Sequence, residues 1–206
     1  MKEQHWGDMN LMPLPEGKEN TEILVKEPAV IETVNNRIYF YSEIQREAVL
    51  KLNRELAMKA SEYIARAKSE NTAPPDLYLH ISSYGGSIFA GLAGMDEIIN
   101  CGIPVTTIVD GCCASAATLL SVAGKTRLIK PHAFMLIHQL QSVMWGKYQE
   151  FQDEMQNLDR LMGMIKEIYR EFTKVPTEKL DEILKHDLWF DAPMCVKYGL
   201  VDEIIA

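Results

Sequence analysis

Apolar residues along the chain follow two alternating periods, one typical of buried strands and one typical of helices. Runs of β-branched and aromatic residues at positions 37–41, 77–81 and 105–109 predict buried strands. Ser42 and Gln45 form a capping-box pattern after the first run, so a helix is expected to begin at Ser42. A strand, a helix and a second strand in this order predict a right-handed crossover within a parallel sheet. The helix has apolar residues at helical spacing, namely Ile44, Val49, Leu52, Leu56, Ala60, Tyr63 and Ile64.

The second half of the chain continues this alternation. Residues 88–100 and 177–185 predict helices, and residues 127–129 and 134–137 predict short strands. Residues 147–172 predict a long helix that carries exposed methionine and aromatic side chains, so we expect it to meet a partner chain. The apolar positions of this helix are Phe151, Met155, Leu158, Leu161, Met162, Ile165 and Tyr169.

A change from strand to helix is predicted around Ser115. After the strand at residues 105–109, Asp110-Gly111 is a turn signal, and a helix of small and aliphatic residues is expected from Ala114. Ser115 then lies where a nucleophile elbow would expose a hydroxyl beside the first free N–H groups of a helix. The simpler interpretation is that Ser115 is a small residue at a helix start.

A second strand end carries two adjacent glycines within residues 82–87. Glycines let the backbone approach a ligand, and their exposed N–H groups could bind an oxyanion or a phosphate. A plain tight turn explains the same residues. Because ligands bind at the carboxyl ends of parallel strands, this loop and Ser115 can share one site.

Composition narrows the class of protein. With 206 residues and a net charge of −8, the chain suits one globular domain that does not bind nucleic acid or anionic membranes non-specifically. No signal peptide and no apolar run of about 20 residues is found, so no membrane span is expected. The four cysteines lack metal-ligand spacing and are expected to be reduced thiols in a cytoplasmic protein. Residues 1–26 are polar and rich in proline, which predicts a flexible N-terminal arm, and a short strand is expected at residues 29–33.

Serine chemistry needs a base that takes the hydroxyl proton, an acid that orients the base, and donors for the oxyanion. The candidates are Ser115, His138, Asp187 and the backbone near Gly86. Composition alone does not bring them together, because the chain has five histidines and many acidic residues.

Five short motifs resemble those of the Clp protease proteolytic subunit family and occur in the family's order. They are Ile-Ser-Ser-Tyr-Gly-Gly-Ser from Ile81, Gly-Cys-Cys-Ala-Ser-Ala from Gly111, Met-Leu-Ile-His-Gln from Met135, Asp187 ahead of Trp-Phe, and Tyr-Gly-Leu-Val-Asp from Tyr198. The resemblance covers the chain from about residue 37 to its C-terminus. It implies an α/β fold, a crotonase/Clp-like spiral of β-β-α units with a long protruding handle helix at residues 147–172. It also implies one catalytic domain at residues 27–206.

The same resemblance implies a peptidase site. Ser115 matches the nucleophile, His138 the general base and Asp187 the orienting acid, and the N–H groups of Gly86 and Ala116 match the oxyanion hole. Peptide is expected to lie extended as an added strand between two backbone segments. The residues of those segments are Ser87, Ile88, Phe89, Leu140, Gln141 and Ser142.

The expected partners also follow from the family. Stacked heptameric rings would enclose a chamber, and an ATP-dependent Clp unfoldase would feed it, since the chain has no Gly-x-x-x-x-Gly-Lys motif of its own. No cofactor is expected. Tyr84 and Leu140 replace family prolines, and residues 142–145 replace a glycine-rich turn, which changes the expected groove shape and ring contact. Residues 30–32 resemble the start of the family's axial hairpin, and only residues 33–36 separate them from the strand at 37–41, where the family has a much longer loop. This hairpin is therefore expected to be absent or heavily shortened.

Three alternatives stand beside this interpretation. An enoyl-CoA hydratase-like enzyme could share the fold and use paired N–H donors on a thioester. A catalytically idle ring subunit could pair with an active paralogue. Cys113 could be the nucleophile, although two residues before Ser115 it would point elsewhere on a turn.

Overall fold

The computed structural model describes residues 30–143 and 145–205, and it contains one mixed sheet with helices packed on it. Its strands are β1 Val30–Val34, β2 Arg37–Tyr41, β3 Leu77–Ser83, β4 Val105–Ala114, β5 Thr126–Ile129, β6 Phe134–Leu136, β7 Phe190–Asp191 and β8 Glu203–Ile204. Its helices are α1 Arg46–Glu70, α2 Ile88–Ile99, α3 Ala117–Val122, α4 Tyr148–Phe172, α5 Thr177–Leu184 and α6 Ala192–Lys197.

The central strands are parallel, as the strand–helix–strand pattern predicts. The sheet order is β1-β2-β3-β4-β5-β8, with β6 paired to β4 and β7 paired to β6. Among the described strands, β1 pairs antiparallel with β2 and β7 pairs antiparallel with β6, and the other pairs are parallel. Strand residues such as Phe40 and Ile81 are fully buried against α1 residues such as Leu52 and Leu56. Burying these side chains from both layers fixes the sheet on its helices.

The predicted turn at Asp110-Gly111 is wrong, because β4 continues through it to Ala114. Gly111 adopts a φ of 72°, and the pairing of β3 with β4 shifts register beyond Ile81. The first half of β4 pairs with β5, and the second half pairs with β6. A glycine at positive φ therefore lets the strand change partners without ending.

The predicted start of α1 at Ser42 is also wrong, since the helix begins at Arg46. The backbone of Ile44 is used elsewhere. Its N–H donates to the Gly85 carbonyl at 2.8 Å, and its carbonyl accepts from the Ser87 N–H at 2.8 Å. These two bonds tie the start of α1 to the loop between β3 and α2.

The long helix α4 begins within a residue of its predicted start. Near its N-terminus, Tyr148, Phe151 and Met155 are exposed, whereas Ile165 and Tyr169 are buried in the core. One part of the helix therefore holds it to the domain, and the other presents apolar side chains outward. No helix in the described residues is long and apolar enough to cross a membrane.

The predicted flexible arm at residues 1–26 lies outside the described residues, and the division into an arm and a catalytic domain stays a prediction. β1 and β2 form an antiparallel hairpin whose connection is Asn35-Asn36, with Asn35 at a φ of 56°. The connection between these strands is therefore short, and its relation to an axial pore stays a prediction.

A partly buried polar cluster that the sequence patterns did not indicate links β2, β3 and β4 around the buried His80. Asp110 Oδ2 accepts hydrogen bonds from Tyr41 Oη at 2.8 Å and from His80 Nδ1 at 2.7 Å. Arg37 Nη1 donates to His80 Nε2 at 2.8 Å, and Tyr39 stacks on the imidazole with centroids 4.5 Å apart. Because a guanidinium only donates, Nε2 must accept and the proton lies on Nδ1. Both ring nitrogens of His80 thus form hydrogen bonds within the cluster, so the pair of His80 and Asp110 has a structural role.

Acid should weaken this cluster through Asp110. Burial raises the pKa of the Asp110 carboxyl, but hydrogen bonds from His80 and Tyr41 lower it by more, so that this pKa lies below its ordinary value. A depressed folded-state pKa stabilises the fold above the unfolded value of about 3.9, and this stabilisation is lost as the pH falls through the folded value. We expect Asp110→Asn to lower the free energy of unfolding by about 1–3 kcal/mol at pH 7 and to flatten its decline below about pH 4.

Urea unfolding at a series of pH values measures this effect. Asp96→Asn is the matched control, because Asp96 is exposed on α2 and makes no contact with the cluster. An acid dependence of the unfolding midpoint that is identical in Asp110→Asn and the unmodified protein would contradict the prediction.

Candidate active site

Ser115 follows β4 directly and adopts a backbone conformation that is unusual for serine. Its φ is 55°, in the left-handed region that costs a non-glycine residue of the order of 1 kcal/mol or more. The Ser115 N–H donates to the Leu136 carbonyl of β6 at 2.8 Å, which holds this conformation. α3 begins at Ala117, not at Ala114 as expected, so Ser115 lies in the sharp connection between strand and helix.

His138 reaches Ser115 because their strands pair. Ala114 lies opposite Leu136 in the parallel ladder of β4 and β6, and each side chain of the pair comes shortly after its strand. His138 Nε2 lies 2.8 Å from Ser115 Oγ, which is hydrogen-bond distance. The imidazole is largely buried, with 15% of its side chain exposed.

Asp187 completes the group less tightly. Its Oδ1 lies 2.9 Å from His138 Nδ1, at ion-pair distance. Nδ1 nevertheless has no hydrogen-bond partner among the described residues, so the pair lies at ion-pair distance without hydrogen-bond geometry. The Asp187 side chain is 64% exposed. The carboxylate is therefore near enough to orient the imidazole, but a small movement is needed to align the hydrogen bond.

This arrangement has the chemistry of a serine nucleophile with a base and an acid. Nε2 of His138 is placed to take the proton from Ser115 Oγ, and a carboxylate at Nδ1 favours the tautomer and the cation that this transfer needs. The structure thus brings together the three residues predicted from the motifs. Their catalytic roles stay predictions.

The two glycines of the predicted oxyanion loop fit only because they lack side chains. A Cβ on Gly85 would lie 2.6 Å from Ser115 Cβ, and a Cβ on Gly86 would lie 2.4 Å from the Ile44 carbonyl oxygen. Their φ values are 101° and 145°, which L side chains rarely adopt. The loop is therefore packed between Ile44 and the Ser115 backbone. The Ala116 nitrogen, one predicted donor, is 3.3 Å from the same Gly85 Cβ position, and Gly85 is next in the chain to Gly86, the other predicted donor.

A cavity of about 490 Å³ opens beside Ser115 and His138. Four of the six predicted substrate-binding residues line it, namely Ser87, Ile88, Leu140 and Gln141. Phe89 is exposed outside it, and Ser142 also lies outside it, where its hydroxyl contacts Glu154. The structure therefore brings the two predicted segments to one cavity only in part.

Further cavity residues were missed by the sequence analysis. They are Tyr84, Leu119, Gln139, Ile165 and Tyr169. The Tyr169 hydroxyl lies 2.6 Å from Thr118 Oγ1, and burial raises the pKa of Tyr169, so the phenol stays protonated. Ile165 and Tyr169 belong to the apolar stripe of α4, but periodicity alone does not distinguish a cavity wall from a partner surface.

Cys113 is a poor nucleophile in this environment. Its side chain is fully buried, and burial raises the pKa of its thiol well above the ordinary value, followed by smaller effects of Cys112 and Cys195. Since the thiolate is the reactive form, this disfavours the cysteine alternative. Across residues 30–143 and 145–205, no group of three or more His, Cys, Asp or Glu side chains is arranged to hold a metal ion.

Comparison with known proteins gives one consistent family. A family model described as Clp protease matches residues 32–206. ATP-dependent Clp protease proteolytic subunits from Ostreococcus tauri and Oltmannsiellopsis viridis are 32% and 30% identical to this chain, over 84% and 80% of its length and 89% and 87% of theirs. The solved structure of a ClpP1 mutant from Listeria monocytogenes superposes with a TM-score of 0.72 at 23% identity, covering 83% of this chain and 91% of that one. The likeness confirms the predicted Clp-like α/β fold.

The packing of Gly86 generates a prediction for the oxyanion loop. Gly86→Ala should push the loop away from the Ile44 carbonyl and strain its backbone, since the new Cβ has only 2.4 Å of space. Losing one aligned oxyanion donor costs about 10²–10³-fold in turnover, so we expect hydrolysis of a fluorogenic peptide to fall by about that factor.

Gly163→Ala is the matched control, because a Cβ at Gly163 in α4 meets nothing within 4 Å. It should keep its activity, and its free energy of unfolding should rise by up to about 1 kcal/mol from the better helix propensity. Peptide hydrolysis by Gly86→Ala at the rate of this control would show that the loop does not act in the reaction.

Proposed function

Because this chain belongs to the Clp protease family, a family of serine-type peptidases, we propose that it cleaves peptides and unfolded proteins through Ser115, His138 and Asp187. The observation that carries the proposal is the 2.8 Å contact of Ser115 Oγ with His138 Nε2, since both residues line the cavity. Asp187 Oδ1 at 2.9 Å from Nδ1 and the glycine loop packed on Ser115 support it.

The proposed reaction begins with Ser115 Oγ attacking the scissile carbonyl carbon while His138 Nε2 takes the hydroxyl proton. The Gly86 and Ala116 N–H groups then stabilise the negative oxygen of the tetrahedral intermediate. His138 returns the proton to the leaving amine, and an acyl-enzyme on Ser115 remains. A water molecule, activated by the same imidazole, releases the acyl group and regenerates the hydroxyl.

The cavity supports a peptide as the substrate. Leu119, Ile165 and Leu140 give it apolar walls that suit an apolar side chain of the substrate. Ser87, Ile88, Leu140 and Gln141 line it from two backbone segments, between which an extended chain would add as a strand. This pairing would hold the substrate backbone while the cavity accepts one side chain.

The assembly is proposed to be a pair of stacked rings joined through α4. Three large apolar side chains are exposed close together on that helix in the single chain, namely Tyr148, Phe151 and Met155. A contiguous exposed apolar patch is typical of an interface. Relatives of the chain are named ATP-dependent Clp protease proteolytic subunits. An ATP-driven Clp unfoldase is therefore the proposed source of unfolded substrate.

Replacing Ser115 tests its proposed role as the nucleophile. Ser115→Ala should lower peptide hydrolysis by about 10³-fold or more and abolish covalent labelling by a fluorophosphonate, because triad members act as a unit. Ser69→Ala is the control, since Ser69 is exposed at the end of α1 and should leave both measurements unchanged. Near-normal peptide hydrolysis by Ser115→Ala would contradict the assignment of Ser115 as the nucleophile. Turnover of an acyl-CoA instead of peptide by the unmodified protein would favour the hydratase alternative.

Replacing exposed apolar residues of α4 tests the proposed contact between rings. Phe151→Glu combined with Met155→Glu places two charges on the exposed apolar face, which should split the particle into single rings and lower peptide hydrolysis. Light scattering after size-exclusion chromatography measures the particle mass.

Gln152→Glu combined with Gln156→Glu is the matched control, because it adds the same charges at the same spacing to exposed polar positions of α4. A particle mass that responds equally to both pairs would argue against an apolar ring contact. A monomer of the unmodified protein at working concentration would refute the assembly.

A further inference from the structure

The acid of the proposed triad lies in the least supported segment of the site. Residues 185–189 are all exposed and have no regular secondary structure. Buried residues hold the two ends, with Leu184 accepting a hydrogen bond from the Gln139 N–H at 2.7 Å and Phe190 beginning β7. Asp187 is in the middle, where neither anchor fixes its orientation.

Besides the pair of Asp187 and His138, an aromatic contact connects this segment to the rest of the site. Trp189 meets Tyr84 edge to face, with ring centroids 6.4 Å apart and ring planes at 87°. Tyr84 immediately precedes Gly85-Gly86 and also lines the cavity. Apart from this contact the two rings are open to solvent, with Tyr84 77% exposed and Trp189 44% exposed.

Single exposed apolar residues are common on protein surfaces, but Tyr84 and Trp189 lie in contact with each other. Packing cannot explain Tyr84, since most of its surface is in water. Its ring instead bridges two chemically distinct parts of the site, the glycine loop and the segment that carries the acid. Edge-to-face geometry is one of the two favoured arrangements of aromatic rings, so this contact stabilises one relative position of the two segments.

We propose that the contact between Tyr84 and Trp189 is a positioning clasp that sets the distance and direction of Asp187 relative to His138. The inference rests on the proposed function. Asp187 is two residues from Trp189, and its carboxylate is within 2.9 Å of Nδ1 without an aligned hydrogen bond. A small rotation of this segment therefore decides whether the imidazole is oriented. Tyr84 and Trp189 act through Asp187 and do not themselves react.

The clasp predicts a loss of nucleophile activation when either ring is removed. Tyr84→Ala and Trp189→Ala should each slow the inactivation of the enzyme by diisopropyl fluorophosphate by about tenfold, the order of magnitude of one aromatic pair. This reagent forms a bond from phosphorus to Ser115 Oγ and releases fluoride, and it is too small to need an extended peptide site. In peptide hydrolysis, kcat should fall by a similar factor with KM changed by less than about twofold.

Two features separate the clasp from general damage. The double variant should be no slower than either single variant, because both remove the same contact. Trp189→Phe keeps an aromatic ring and should recover most of the rate. Leu188→Ala is the control, as Leu188 is 62% exposed in the same segment, and its inactivation rate should stay that of the unmodified protein.

The decisive arm is the Asp187→Asn background. If the rings act through the Asp187 carboxylate, Trp189→Ala should produce no further slowing of inactivation in that background. An equal slowing in both backgrounds would overturn the proposal, as would normal inactivation of Tyr84→Ala and Trp189→Ala. A change confined to KM would assign the rings to substrate contact and would also overturn it. Failure of the unmodified protein to react with the reagent would instead overturn the proposed function.

Discussion

The pairing of the last residues of β4 with β6 is the contact on which the site depends. It places Ala114 opposite Leu136, and the bond from the Ser115 N–H to the Leu136 carbonyl then fixes a serine at positive φ. The same ladder delivers His138 two residues beyond Leu136. Ser115 and His138 are thus positioned by one backbone interaction, and side-chain packing has only to refine their 2.8 Å contact.

A second backbone contact sets the other side of the site. Ile44 pairs with the loop around Gly86 before α1 begins, so the sequence that ends β2 also holds the glycine loop. Gly85 and Gly86 fit between Ile44 and Ser115 because neither has a Cβ. Each glycine loses more conformational entropy on folding than another residue would, but only glycine permits both these φ values and the close approach.

Local patterns in the sequence predicted several features of the fold, whereas features that depend on long-range pairing were missed. The central strands, the parallel sheet and α4 followed from periodicity, and the Clp-like fold followed from the motifs. The continuation of β4 through Gly111 was missed because a glycine at positive φ gives the same local signal in a turn and in a bulge, and only β6 decides between them. The helix start at Arg46 was missed for a similar reason, since Ser42 and Gln45 fit a capping box but Ile44 is engaged by a loop some forty residues away. The motifs named Ser115, His138 and Asp187, but no pattern could reveal that Tyr169 faces the cavity or that His80 is bound on both ring nitrogens.

The three groups of the site differ in how firmly the fold holds them. Ser115 and His138 follow paired strands with buried neighbours, and their contact has hydrogen-bond geometry. Asp187 follows a short helix in an exposed segment, and here the distance is right while Nδ1 makes no hydrogen bond to a described residue. The geometric defect therefore falls where backbone support is weakest, as expected if alignment is limited by anchoring. In the proposed clasp, the contact of Trp189 with Tyr84 supplies an interaction outside the sheet that orients Asp187.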